Sequence, residues 1–473
     1  MTTQSKSPSI PSVLPEIPAD RLGCEIFKKR HHLRRAYVAG GMYKGIASRE
    51  LVVRMGRAGL LAFLGTGGMK LDRLESDLQF IQSELAGKGV YGLNFLSQPL
   101  NPGIEQATVD LYLKYNVPRI EAAAFTQITP DLARYRVSDL QRLPDGGIQI
   151  PHLVMAKVSR PEVAEQFLNP PPPALIEKLL ASNQITRQEA ELSRFIPMAD
   201  DLCVEADSGG HTDHGVAFAL LPAMLRLRDD LSQKYGYQAK ICVGAAGGLG
   251  APNAIAAAFI MGADFVLTGS INQCTVEAGA SEAAKDMLQQ ANIQDMDTVP
   301  AGDMFEMGAK VQVFKKGLLF PSRAKKLYDL YRQYNSLEEI DTKTREQIET
   351  RYFKRTFAEV YEETKTYYQR FMPGVIERAE RNPKQKMALI FRWYFVRSTR
   401  LAMQGHPDER VDYQIHCGPA LGAFNQWVRG TPLENWRARH VDEIAEKLMN
   451  DAAKILEDRF RQFCAPPPST SNR

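Results

Sequence analysis

From Arg34 onward, short apolar runs alternate with amphipathic stretches. The first run, Ala36 to Ala39, ends in Gly40-Gly41-Met42 and precedes a helix that Ser48 can cap, extending to about Ala58. Leu60 to Leu64 follows, then a glycine pair and a helix from Lys70 to Leu85 with Leu71, Leu74, Leu78, Ile81 and Leu85 on one face. Runs at Val90 to Phe95, Arg119 to Ala124 and His152 to Val158 continue the alternation, with a helix Gly103 to Lys114 after the third. Past a helix ending near Leu168, the string NPPPP stops helical structure. Ala174 to Phe195 then reads as a helical hairpin turning at Asn183 and capped at Thr186. A sixth run begins at Leu202, a seventh spans Lys240 to Gly244 and an eighth Phe265 to Leu267, with helices Ala217 to Lys234 and Pro252 to Met261 between them.

Serial alternation of this kind implies a parallel sheet covered by helices. Eight strands within about 230 residues predict a (β/α)8 TIM barrel with a helical insertion at 169–197, since no unit shows the strand reversal of a doubly wound sheet. Beyond Ala301 the pattern turns helical, over Arg323 to Tyr334, Thr342 to Tyr368 and Asp442 to Phe463, and only Lys310 to Phe314 reads as a strand. The predicted organisation is a flexible leader at 1–32, a barrel at 33–300, a large mainly helical C-terminal region at 301–465 and a disordered tail at 466–473.

Charge narrows the function classes. A net charge of +4 over 473 residues lacks the footprint of a dedicated nucleic-acid binder. Basic clusters at Lys315-Lys316, Arg323 to Lys326, Arg351 to Arg355 and Arg378 to Lys386 read first as solvated helix faces. No apolar stretch is long enough to span a membrane, because even Leu51 to Leu64 carries Arg54 and Arg57. The Ser-, Pro- and Thr-rich start has no signal-peptide core, and six scattered cysteines form no CxxC pair. The expectation is a cytoplasmic protein with reduced thiols and no metal site.

In a barrel of this kind, ligands meet the carboxyl ends of the strands. Those ends carry Gly41-Met42, Gly65 to Gly68, Asn94, Lys157, Asp207 to His211, Gly247-Gly248 and Gly269-Ser270. The loops AAGGLG and TGS, after strands seven and eight, can aim backbone N–H groups at one phosphate. Lys157 ends an apolar strand, where it can contact a phosphate or ring system or form an ion pair with a carboxylate such as Asp207. Asn94 can hydrogen-bond a ring edge or simply form a turn. The stretch LCVEADSGGHTD places His211, which titrates near neutral pH, directly after Gly209 and Gly210.

GGM, YGLNFL, MAKVSRPEVA, ADSGGHTD and GAAGGLGAPNAIAAAFIMGADFVLTGS, in that order, resemble the flavin-dependent nitronate monooxygenase and enoyl reductase superfamily. FEMGAKVQVFKKGLLFPSRAKKLYDLY and CGPALGAFNQWV resemble its PfaD-like trans-acting enoyl reductases of polyketide and polyunsaturated fatty acid synthases. The resemblance implies FMN bound by Gly41, Met42, Asn94, Lys157, Gly209, Gly210, Gly247, Gly248, Gly269 and Ser270. It further implies that NADPH reduces the flavin and that hydride then reaches the β-carbon of a 2-enoyl thioester on an acyl carrier protein. His211 is the implied donor of the α-carbon proton, with polarisation of the thioester carbonyl as its alternative role; Asp213 and His214 lie close enough to help. In this setting the basic clusters near Lys315 to Lys326 become candidates for docking an acidic carrier protein. The same family also allows a homodimer, a nitronate monooxygenase, or a catalytically silent docking subunit of a megasynthase. Where nitronate monooxygenases tend to carry EAGGH, this chain has ADSGGH, which leaves the partner of His211 open.

Overall fold

The computed structural model describes residues 16–98 and 102–464; the expected leader before residue 16 and the tail at 466–473 lie outside the described residues. Eight parallel strands close a barrel: β1 Tyr37–Ala39, β2 Leu61–Leu64, β3 Gly92–Leu96, β4 Arg119–Ala123, β5 Leu153–Val158, β6 Asp201–Glu205, β7 Cys242–Ala246 and β8 Val266–Thr268. Each strand neighbours the next in sequence, and β8 returns to β1 with Ala39 opposite Thr268. Covered by helices outside and side chains within, strands such as β2 and β7 are buried at every position, which is why they read as unbroken apolar runs.

The helices follow their caps. The Ser48 hydroxyl accepts from the Leu51 amide at 3.0 Å and starts Arg49–Arg57. In the insertion, Asn183 makes the left-handed turn at φ 57°, and Thr186 with Glu189 forms a capping box. The pattern passes over one helix, Pro130–Val137, although Thr129-Pro130 is a good start signal. Its Arg136 is buried and holds Asp200 through two hydrogen bonds of 2.6 and 3.0 Å.

At the amino ends of the strands, the helix Glu25–His31 closes the barrel, so the chain is structured well before residue 33. Phe27 stacks on Phe265 with ring centroids 4.2 Å apart, and His31 Nε2 lies 2.7 Å from the buried Asp201 carboxylate. Seven residues with a single aromatic anchor are too short a pattern to stand out from a leader.

Past the barrel the chain forms a second core. β9 Met296–Pro300 pairs antiparallel with β10 Lys310–Phe314, and the next edge of β10 takes Gly210–His211. Helices Phe320–Gln333, Phe357–Phe371, Pro373–Arg381 and Pro383–Gln404 pack around it. The expected helix from Thr342 to Tyr368 breaks at Lys354, φ 55°, because Thr356 and Glu359 cap a new helix there. The region after 301 is also not one unit. Helix Val441–Cys464 turns Val441, Ile444, Leu448, Met449, Ala452 and Leu456 onto barrel helices Pro252–Ile260 and Arg49–Arg57, so the C-terminal segment completes the barrel core. All six cysteines are unpaired, and among the described residues no helix is long and apolar enough to cross a membrane.

Candidate active site

Register brings three polar side chains together inside the barrel. Asn94 of β3 lies opposite Glu121 of β4, and Glu121 lies opposite Met155, two residues before Lys157 on β5. Strand alternation turns all three to the barrel interior. Glu121 is fully buried. Its Oε2 accepts from the Gly41 amide at 3.1 Å and from Asn94 Nδ2, and lies 3.6 Å from Lys157 Nζ. Its Oε1 is buried without a partner. Burial pushes the Glu121 carboxyl up, against the pull of Lys157. Burial also disfavours the Lys157 ammonium, but Glu121 and Glu205 outweigh it and hold that pKa above its ordinary value. The ion pair is therefore with Glu121, not with Asp207. Asn94 is committed to the same carboxylate, and Gly41 is small because a Cβ there would overlap the Asn94 side chain. Met42 follows, half-buried, its carbonyl pressed against Gly65.

The glycine loops divide into filled and open positions. Gly247 has φ 84°, and a Cβ on it would meet the Ala206 carbonyl carbon at 2.7 Å. Gly209 is equally confined, by Cys417 and Gly418 at 2.7 Å. Gly248 and Gly269 differ: a Cβ on either would have nothing within 4 Å. Beside them Ser270 Oγ accepts from the Gly418 amide at 2.9 Å, where the chain enters helix Ala420–Trp427. Two strand-end loops and the start of a short extra helix are the recurrent components of a barrel phosphate site.

His211 meets a partner that the sequence pattern did not disclose. Its Nε2 lies 3.1 Å from Asp303 Oδ1, in the turn after β9. That hydrogen bond raises the His211 pKa above its ordinary value, with burial opposing. Asp207 instead binds His214 Nδ1 at 2.9 Å and accepts from Gln312 Nε2 at 3.2 Å. Asp213 is held by Arg160 at 2.8 Å and by Ser159 at 2.6 Å. Neither acid touches His211. A second histidine, His416, follows Gln414 on the segment that returns to the barrel, and its Nδ1 sits 3.7 Å from the place a Gly210 Cβ would occupy. Glu121 announced itself only as a lone acid in an apolar strand, Asp303 as an ordinary turn acid, and His416 as the residue just before CGPALG.

The profile of the nitronate monooxygenase family matches residues 27–305, more than half of the chain. The chain belongs to the nitronate monooxygenase family. Within it, the chain is a PfaD-like member of the enoyl reductase branch. It is 53% identical over 475 residues to the polyketide biosynthesis protein PksE of Bacillus subtilis, covering 99% of this chain and 61% of that protein. It is 43% identical to one of the polyunsaturated fatty acid synthase proteins of a Thraustochytrium species, over 87% of this chain and 28% of that one. The chain thus spans less than two thirds of these relatives. The solved enoyl reductase domain of MlnA, from the macrolactin cluster of Bacillus amyloliquefaciens, superposes with a TM-score of 0.91 at 44% identity, over 94% of this chain and all of that one. Residues 334–413 match a second family, the inserted helical domain of [acyl-carrier-protein] S-malonyltransferase.

Proposed function

We propose that this nitronate monooxygenase family member is an FMN- and NADPH-dependent enoyl reductase acting on 2-enoyl thioesters carried by an acyl carrier protein. The observation that carries this reading is His211, paired with Asp303 in the loop that leaves the same barrel rim as the open glycines Gly248 and Gly269. The residues present fit FMN. Gly248, Gly269 and Ser270 offer a phosphate room and backbone donors, and the partnerless Glu121 Oε1 is an acceptor for a ring N–H or a ribityl hydroxyl. Gly41, Met42, Asn94 and Lys157 would line the ring and ribityl region, with Gly209 and Gly210 at its edge.

When bound, FMN supplies the hydride carrier between NADPH and the substrate β-carbon. The chain's own residues do the rest. Asp303 accepts the Nε2–H of His211 and favours the imidazolium, whose Nδ1–H is the proton offered to the α-carbon. One NADPH and one proton are consumed for each double bond reduced. Lys157, kept charged by its carboxylates, places a fixed positive charge beside the ring system. For the carrier, the match of residues 334–413 to a domain found in an acyl-carrier-protein transferase supports a thioester delivered on a protein. Lys315 and Lys326 are exposed and make no ion pair among the described residues, whereas Arg323 is tied to Asp412 at 2.5 Å and stacks on Tyr352. The docking surface therefore centres on the lysines.

The test is anaerobic. The purified protein is reduced with NADPH, a crotonyl thioester is added, and the flavin absorbance is followed. Reoxidation by the thioester supports the reading. Oxygen uptake with alkyl nitronates and no response to NADPH would make the chain a nitronate oxidiser, and a colourless protein that takes up no FMN would make it a docking subunit.

A further inference from the structure

His416 is placed as deliberately as His211. Strand β10 holds both: His211 lies opposite Val311, and His416 forms a bridge opposite Val313. Positions two apart on one strand face the same side, so the two imidazoles stand on one face, separated by about 7 Å of strand. That gap suits a thioester, whose carbonyl oxygen and α-carbon are neighbours.

The ring is oriented from behind. Gln414 Nε2 lies 2.8 Å from His416 Nε2, and Gln414 Oε1 accepts from Thr399 Oγ1 at 3.2 Å. With the amide oxygen occupied by the hydroxyl, the amide N–H donates to Nε2, which fixes the ring proton on Nδ1. Nδ1 makes no hydrogen bond among the described residues and points at Gly210. Burial, with His211 adding to it, lowers the His416 pKa to about 4, so the ring is neutral across the physiological range. The charged groups that act on it are His211 and Asp303.

We propose that His416 is a second catalytic group of this site, its Nδ1–H donating a hydrogen bond to the thioester carbonyl oxygen while His211 protonates the α-carbon. This rests on the enoyl reductase reading. As hydride arrives at the β-carbon, the π electrons move toward the carbonyl oxygen, and the Nδ1–H meets the charge that develops there. No proton leaves His416, and the electron balance stays that of the reduction itself. A neutral donor suits this place beside an imidazolium, because a second cation would repel the charged form of His211 and strip it of the proton it must deliver.

The experiment uses the flavin-loaded protein in stopped flow, with the two half-reactions measured apart. Replacing His416→Leu should slow flavin reoxidation by crotonyl thioester 10²- to 10³-fold, the range for one lost oxyanion donor. His416→Asn, whose amide nitrogen overlays Nδ1, should stay within about tenfold of wild type, and His416→Gln should resemble the leucine variant. Flavin reduction by NADPH should be unchanged in all three. Independently, 15N spectra of histidine-labelled protein should show His416 as the neutral Nδ1–H tautomer, lost in Gln414→Leu. Reoxidation within threefold of wild type in His416→Leu, equal slowing of both half-reactions, or an Nε2–H tautomer would each overturn the proposal. A wild-type protein inert toward the thioester would overturn the enoyl reductase reading, and the proposal with it.

Discussion

Lys157→Met tests the interior of the barrel most sharply. It removes the cation 3.6 Å from a fully buried Glu121 and leaves the carboxylate with the Gly41 amide and Asn94. At an effective dielectric of about 20, two unit charges at that distance interact by about 5 kcal/mol. Losing one member of a buried pair costs about 3–5 kcal/mol in practice. For 473 residues an unfolding entropy of about 2.1 cal/mol/K each gives about 1 kcal/mol/K, so Tm should fall by about 3–5 °C. The loss should depend on pH with a definite sign. Burial already holds the Glu121 pKa above its unfolded value, and without Lys157 it rises further. A raised folded pKa gives stability that is present below the unfolded pKa and lost as pH rises through the folded one, so Lys157→Met should be weaker at pH 8 than at pH 5. Adding Glu121→Gln should restore most of the Tm and remove the pH dependence. Thermal unfolding of wild type, both single variants and the double variant, with and without FMN, checks this. A Lys157→Met protein no less stable than the double variant, or equally unstable at both pH values, would refute the pair as the source of the cost.

Other expectations follow from single contacts. Asp303→Asn should lower the His211 pKa toward its ordinary value; since the imidazolium is the competent form, the alkaline limb of the kcat/KM profile for the thioester should move to lower pH, and an unmoved limb would detach Asp303 from the acid. Gly269→Ala should fold with the Tm of flavin-free wild type but lose FMN affinity by about tenfold or more, since the space it fills is the ligand's, whereas Gly247→Ala should lose stability itself; equal FMN titrations for Gly269→Ala and wild type would remove this loop from the phosphate site. Lys315→Glu with Lys326→Glu should raise KM for a carrier-bound enoyl substrate and leave a free crotonyl thioester unaffected; Arg323→Glu should instead lower Tm, because its charge faces the buried Asp412.

The barrel was legible because its signal is local. Each apolar run, each cap such as Ser48 or Thr186 and each strand-end glycine is a pattern a few residues long, and β1 to β8 fall within two or three residues of those runs at every strand. The strand-end positions of Asn94, Lys157 and the glycine loops were legible for the same reason. What the pattern withheld was pairing at a distance. Lys157 could be seen as an odd lysine, but its choice of Glu121 over Asp207 is set by the register between β4 and β5, which no short window carries. Asp303 is 92 residues from His211, and its neighbours Gly302 and Met304 give it the look of a common turn. In sequence the helical region looks like one body, because helix Val441–Cys464 has the same amphipathic period as helices of the second core; only the barrel face it covers separates them.

The long excursion from residue 296 to 417 gives the barrel rim an order that the barrel alone does not supply. A barrel rim supplies glycine loops and an interior cluster, but a loop such as Asp207 to His211 has no intrinsic reason to hold one conformation. Here strand β10 fixes it. One edge residue sets His211 opposite Val311, the next alternate position sets His416 opposite Val313, and Gln312 between them reaches back to Asp207. The amide of Cys417 closes onto the Gln312 carbonyl at 3.3 Å, and the Gly418 amide closes onto Ser270 in the loop after β8. A single strand therefore sets the spacing of both imidazoles and ties them to the glycine loop that ends in Ser270. The second core, with Phe305, Phe320 and Phe395 packed behind β10, is what keeps that strand in place. Loosening it should reach the histidines before it reaches the barrel, because Val311 and Val313, the residues opposite them on β10, belong to the second core, whereas β1 to β8 contribute nothing to it.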